Sequence, residues 1–324
     1  MASGVLVFGE ATESGQLHPV TAELIGAAKH LGGPVTVALL GSGVEALGQQ
    51  AAGYGAQKVI VVDDPILKDY QGDAYLPAAT RIAKETDPSV ILLGQTMIGR
   101  DLAPRLAQRL NTAVAMDCVA LEANGDKLIA ERAAYGGAAR ARYSFNSTPQ
   151  IATVRVKALE PAEATGATGE IVKQDAGVTA ADVRTKITGR RKEEATGVRL
   201  EDAKVVVSGG RGLGGPEGFQ PLEELAQILG GAVGASRAVC DLGWCPVAAQ
   251  VGLTGKVVTP DLYIAVGISG ASQHMAGISS VKNIVSINKD ADASIFKASR
   301  YAVVGDWKEV VPAFTKRVKE LKAQ

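Results

Sequence analysis

The residues best suited to chemistry fall in six short segments between Val205 and Asp306, and each one ends an apolar run in glycine and polar groups. The first is Val205 to Gly215, VVVSGGRGLGG, a β-branched run entering four glycines within six residues, Gly210 to Gly215, ahead of a helical stretch. Backbone N–H groups in such a turn can approach a phosphate, and the following helix dipole favours negative charge. Arg211 adds a guanidinium able to hold two phosphate oxygens at once. The spacing is not that of a Walker loop, since no Gly-Lys-Ser/Thr follows, and it is not G-x-G-x-x-G with an acidic residue about 20 positions on. Glycine-rich turns also serve tight packing, so the segment alone leaves both readings open.

The second segment, GASRAV, sets Ser236 and Arg237 at the end of a run of small residues, where a solvated arginine is the plain alternative. The third, Val251 to Pro260, is a glycine-bracketed turn, Val251-Gly252-Leu253-Thr254, offering a hydroxyl. By itself it reads equally as a hairpin. The fourth, Ile264 to His274, breaks an apolar strand at Gly267 and then presents Ser269, Gly270, Ala271, Ser272, Gln273 and His274. Open α/β sheets bind ligands at the carboxyl ends of their strands, and this imidazole is placed there. The fifth and sixth put Asn288 and Asp306 at strand ends, where such residues also serve as turns and caps. Six such ends together make a pocket.

What is missing narrows the chemistry. There is no G-x-S-x-G elbow, no H-E-x-x-H, no Cys-His couple and no usefully spaced carboxylate pair, so no catalytic residue is assigned. Three cysteines and three histidines without C-x-x-C make a poor metal site and no disulfide framework, so no metal is expected. Cys240 and Cys245 flank a Gly-Trp turn and read as small buried hydrophobes. A phosphate loop with neutral and cationic donors around a ring fits a redox cofactor that brings its own reactivity.

Two α/β domains must hold these segments. Length 324 suits two domains, and with aromatics at 4% and 38 glycines the core must be aliphatic. Gly4 to Gly9, Pro34 to Leu40, Lys58 to Val62 and Ser89 to Gly94 are continuously apolar, as strands buried on both faces of a parallel sheet are. Between them Leu17 to Leu31, Gly43 to Gly53, Gly72 to Glu85 and Gly99 to Leu110 have helical spacing, giving a βαβα series. MDCVAL, KLIAER, ARARYSF and IATVRV, within Ala113 to Val156, alternate apolar and polar and predict antiparallel additions. Glu160 to Glu201 reads as the connection between domains, and its charge run Arg190 to Glu194 as a solvated linker. A second series opens at Ala203: KVVVSGG, a helix over Glu217 to Leu229, the strands GAVGASRAV, DLYIAVGISG, NIVSIN and YAVVGD, and a last helix over Lys308 to Leu321. We therefore expect an N-terminal α/β domain over 1–200 and a Rossmann-like domain over 201–324, each with a largely parallel sheet flanked by helices.

Charge and hydropathy exclude other partners. Thirty-four Lys plus Arg against 34 Asp plus Glu leave no footprint for nucleic acid. Leu262 to Val281 runs twenty residues without a charge, but its serines, Gln273 and His274 read as strand, turn and helix, so no membrane insertion is expected. Met1 to Glu10 has no basic n-region and does not read as a signal peptide. A bacterial cytoplasm is expected, a processed chain of the mitochondrial matrix being the alternative.

In this order, SGGRGLGG, GASRAVCDLGW, QVGLTGKVVTPDLYIAVGISGASQHMAGI, IVSINKDADASIF and YAVVGD resemble the alpha subunit of the electron transfer flavoproteins over Lys204 to Asp306. VLVFGE and LLGQTMIGRDLAPRLA extend the resemblance into the N-terminal half. It implies an electron carrier, not an enzyme, paired with a beta subunit and holding FAD in its C-terminal domain. The N-terminal domain is then similar to adenine-nucleotide-hydrolase domains but binds no nucleotide. Carried over, Arg211 and Ser236 serve the pyrophosphate and nearby groups, and Arg237 lies against the isoalloxazine ring. Val251 to Thr254 meets the flavin N5 region through Thr254, Ser269 to His274 wraps the pyrophosphate and pyrimidine edge with His274 near O2, and Asn288 and Asp306 hold the adenosine. Leu253 stands where the family usually has Gln, which removes an amide near the ring.

The resemblance also implies dehydrogenases of the acyl-CoA type as donors, a quinone oxidoreductase as acceptor, and AMP in the beta subunit, within fatty acid β-oxidation. A bifurcating variant with NADH would instead carry a second FAD there. From other classes come a nicotinamide- or thiamine-dependent enzyme subunit and a non-redox nucleotide-binding scaffold.

Overall fold

The computed structural model describes residues 3–12, 14–137, 139–189 and 198–322, and the charge run Arg190 to Glu194 lies outside them. The chain divides into two compact units, 1–133 with 140–190 and 134–139 with 191–324. Each is an α/β layer structure.

In the first unit β1 (Val5–Gly9), α1 (Pro19–Leu31), β2 (Val35–Gly41), α2 (Leu47–Gly53), β3 (Lys58–Asp63), α3 (Gly72–Thr86), β4 (Val90–Gly94) and α4 (Met97–Arg109) alternate as their apolar runs predict. Helix starts follow local chemistry. Pro19 presets the first turn of α1, and the Thr96 hydroxyl accepts from the Gly99 amide at 3.1 Å to cap α4. There follow β5 (Val114–Asn124), β6 (Lys127–Ala134), β7 (Ala139–Tyr143), β8 (Gln150–Val154) and β9 (Glu170–Lys173), completing a nine-stranded sheet in the order β7-β6-β5-β8-β4-β1-β2-β3-β9. Successive strand residues fill opposite cores: Val5, Val7, Val37 and Leu39 meet Leu24 and Ile25 of α1, while Leu6, Phe8, Ala38 and Leu40 meet α3 and α4.

Two sequence expectations change. β8, the IATVRV run, pairs parallel with both β4 and β5, so it is an interior strand and not an antiparallel addition; β5 with β6 is antiparallel as expected. The polar residues of this run alternate because they meet partners within the protein: Thr153 accepts from the Asp117 amide at 2.9 Å, and Arg155, just beyond the strand, grips the half-buried Asp117 carboxylate at 2.9 and 2.6 Å. The segment Glu160 to Glu201 is likewise not only linker, since its β9 adds in parallel to β3.

Just past β1, the half-buried Glu10 accepts from the Thr96 hydroxyl at 2.7 Å, and burial raises its carboxyl from 4.5 to about 7. The folded chain therefore holds this proton between those values while the unfolded chain releases it, so the stability it confers declines as pH rises through that window. Glu10→Gln should unfold later than the wild type at pH 8, by on the order of 1–3 kcal/mol, with the gap closing towards pH 5. Urea melts at the two pH values measure it; an equal gap at both would contradict the assignment.

The second unit holds β10 (Val205–Gly209), α5 (Gln220–Leu229), β11 (Ala232–Ala235), α6 (Arg237–Asp241), β12 (Leu262–Val266), α7 (Ser272–Ala276), β13 (Ile284–Asn288), β14 (Tyr301–Val304) and α8 (Trp307–Lys322). Its five strands are all parallel, in the order β11-β10-β12-β13-β14. GAVGASRAV is only half a strand. It becomes helical at Arg237, with Ser236 in the N-cap position of α6.

Candidate functional site

Because all five strands run the same way, their carboxyl ends share one edge of the sheet. The chain leaves β10 through α5 to β11 on one side, then returns to β12 on the other side of β10. That reversal is the topological switch point where such sheets bind ligands. Arg211 follows β10, and Ser269 to His274 follow β12, so they stand on its two sides.

The glycines here bring backbone against backbone. The Gly210 amide donates to the Val266 carbonyl at 2.9 Å and the Gly212 amide to the Gly267 carbonyl at 3.0 Å. A Cβ on Gly210 would sit 2.3 Å from the Gly267 oxygen, which no side chain tolerates. Leu213 and Gly214 amides close the turn onto Gly210 and Arg211. This differs from the expectation of a free amide cradle in that these four amides serve the protein, while the Arg211 side chain is exposed.

The other segments are stitched to the same edge by main-chain hydrogen bonds. Ser236 donates to the Gly209 carbonyl at 3.0 Å, Val251 to Ala235 at 2.9 Å, and Leu253 to Gln273 at 2.7 Å. Ser236, Val251 to Thr254 and the Ser269 to His274 loop are thereby brought together. Arg237 is exposed and lies 3.4 Å from Asp241, a partner that the sequence reading missed. Thr254 accepts from the Gln250 carboxamide at 2.9 Å, so the buried Gln250, also unforeseen, orients that hydroxyl. Leu253 is 66% exposed, and its amide holds it to the loop. Asn288 donates its side-chain amide to the Ile268 carbonyl at 3.0 Å and steadies the loop after β12. Asp306 accepts from the Lys308 amide at 2.9 Å and caps α8, next to Gly305, whose amide donates to the Asn288 carbonyl at 3.0 Å.

His274 is buried in α7. Its Nε2 lies 3.0 Å from the hydroxyl of Tyr263, which is fully enclosed on β12, and the Val251 backbone hydrogen-bonds the imidazole. Burial depresses the imidazole to about 4, so the ring is neutral at physiological pH. Burial likewise raises the Cys245 thiol to about 11 and that of Cys240 above its ordinary value, in keeping with unreactive packing groups. Among the described residues no cluster of ligating side chains could hold a metal ion, and no helix is long and apolar enough to cross a membrane. The site can bind an anion through Arg211 and offer neutral donors and hydroxyls to a polar ring. Its side chains include no nucleophile and no paired acid and base.

Comparison with known proteins meets this geometry. The Electron transfer flavoprotein domain model matches residues 5–179, and the Electron transfer flavoprotein FAD-binding domain model matches residues 199–279. The chain is 44% identical over 324 residues to electron transfer flavoprotein subunit alpha of Bacillus subtilis, covering 99% of each, and 45% identical over 325 residues to that of Thermoanaerobacterium thermosaccharolyticum, covering 98% of each. It is 43% identical to Protein FixB of Clostridium saccharobutylicum, covering 98% of this chain and 97% of that one. Two matched domains and near-complete likeness to these subunits leave one conclusion, that this chain belongs to the electron transfer flavoprotein alpha-subunit family.

Proposed function

We propose that the domain over 201–324 binds FAD and that the chain works as an electron carrier, not an enzyme, in a heterodimer with a beta subunit. Its electrons come from dehydrogenases of the acyl-CoA type and leave singly to a quinone oxidoreductase, in the bacterial cytoplasm. The observation that carries this reading is the reversal of strand order between β10 and β12, whose strand ends offer Arg211, the Thr254 hydroxyl and the Ser269 to His274 loop. Parallel sheets of this kind bind ligands outside the carboxyl ends of the strands where the order reverses. When bound, FAD supplies reversible one- and two-electron transfer. This chain's residues hold and tune it: Arg211 and Ser236 the pyrophosphate side, Arg237 and Thr254 the ring, Ser269 to His274 the pyrophosphate and pyrimidine edge, Asn288 and Asp306 the adenosine.

Co-purification with the neighbouring beta subunit, an absorbance spectrum and cofactor extraction test the proposal. A yellow complex with one FAD and one AMP supports simple carriage, and two FAD would assign a bifurcating complex. A folded complex that takes up no flavin would overturn the reading.

Arg237→Ala should lower the potential of the first electron, because a cation against the ring stabilises the charge that arrives on reduction. The side chain is 65% exposed and shares its charge with Asp241, so the loss is about 1 kcal/mol, or roughly 40 mV. Asp241→Asn should move it the other way. Spectroelectrochemical titration of both variants with FAD bound reads the sign, and two shifts in one direction would refute the role.

A further inference from the structure

The chain that leaves β9 lies back along α3 from Gln174 to Thr185, meeting that helix first near its end and last at its start. Its root is firm. The Gln174 amide donates to the Val61 carbonyl at 3.0 Å and its carboxamide to Glu85 at 2.9 Å, while Arg81 holds the Asp175 carboxylate at 2.9 Å and the Asp175 carbonyl. Ala176 is buried in the core beneath. Gly177 then turns with φ of +65°, where a Cβ would lie 2.7 Å from Arg81 Nη1.

The tip is held differently. From Val178 to Gly189 no residue is buried, and the apolar hold is two half-buried side chains, Val178 and Val183, against the core beside α3. Asp182 accepts from the Thr179 amide and hydroxyl at 2.7 and 2.8 Å, which keeps this stretch compact without tying it to the helix. What ties it is Asp73, in the first turn of α3, which accepts from the Arg184 amide at 3.2 Å and from its guanidinium at 3.4 Å; beside them the Thr185 hydroxyl donates to Gln71 at 3.0 Å. These bonds from Arg184 hold the Asp73 carboxyl below its ordinary value. The Arg184 side chain is 84% exposed, so the pair is of the weak surface kind that salt screens. A segment with so few buried apolar contacts opens locally while the rest of the fold stays intact.

We propose that Val178 to Thr185 is a releasable strap, with Asp73 and Arg184 as its clasp and Gly177 as the point from which it peels, and that its opening gives slack to the connection between the two units. Clasped, the free chain begins after Thr185. Open, it begins at Val178, a gain of about eight residues and at most roughly 25 Å of reach. Such slack serves a carrier that presents its second unit to a donor and an acceptor in turn; that use rests on the carrier reading, and the clasp does not.

The test is hydrogen exchange of the intact complex with its beta subunit, read by mass spectrometry peptide by peptide, the Arg184 amide being itself a bond of the clasp. Raising salt from about 0.05 to about 0.5 M should speed exchange over 178–185 roughly two- to fivefold and leave 170–177 unchanged. Asp73→Asn and Arg184→Gln should each reproduce that gain at low salt, and the double variant should add nothing further, since either change undoes the same clasp. Gly177→Ala should loosen the root as well, because the displaced guanidinium lets go of Asp175. Exchange over 178–185 that ignores salt and both single variants would overturn the strap. So would gains that multiply in the double variant, or release of 170–177 together with the tip in Asp73→Asn. Exchange is read whether or not flavin is bound, so a flavin-free preparation counts against the carrier reading alone and the strap is still decided.

Discussion

Gly270→Ala is expected to cost roughly 2–5 kcal/mol and to strip the complex of flavin. Gly270 has φ of +86°, and a Cβ there would lie 2.3 Å from the Ile295 backbone nitrogen, an atom with no freedom to retreat because its amide donates to the Ser269 carbonyl at 3.1 Å. Left-handed backbone alone contributes about 1–2 kcal/mol of this, and the clash supplies the rest. Gly214→Ala separates the two effects, since Gly214 has the same φ of +86° with nothing within 4 Å. Urea denaturation of both variants measures the difference, and equal losses would show that the approach to Ile295 is not what makes Gly270 indispensable.

Arg211→Ala should weaken FAD binding about 10- to 100-fold, the worth of one or two charge-assisted hydrogen bonds to a pyrophosphate. The residue is exposed in a short 3-10 turn after β10, so its removal should leave unfolding nearly unchanged. Arg211→Lys keeps the charge but not the planar fork and should fall between. Fluorescence titration of flavin-free complex with FAD, repeated at raised salt, reads both affinity and its ionic component. Wild-type affinity in Arg211→Ala would remove this residue from the binding site.

The architecture was legible where burial erases alternation. β1 to β4 are flanked on both faces, so Val5 to Gly9 or Val90 to Gly94 need no polar side and declare themselves as parallel strands. IATVRV misled because Thr153 and Arg155 imitate a solvated face while bonding inside the protein. β9 was hidden by its four residues among glycine, alanine and threonine, with nothing local to announce a distant partner in β3. The same distinction runs through the site. Strand ends are local features, so the placement of Arg211, Ser236 and the Ser269 to His274 loop at them could be read from type and spacing. Gln250 on Thr254, Asp241 beside Arg237 and Tyr263 beneath His274 are meetings made by folding, and a tyrosine in an apolar strand carries no sign of which hydrogen bond it will make.

Leu253 draws a wider lesson from the way the turn is fastened. Its amide, not its side chain, secures the loop to Gln273, and the side chain stands out at 66% exposure. The backbone therefore carries the architecture and leaves the side chain unconstrained by it. Under the FAD reading proposed above, a lineage could exchange leucine for an amide or a hydroxyl at this point and retune its voltage while the scaffold beneath stays indifferent to the change.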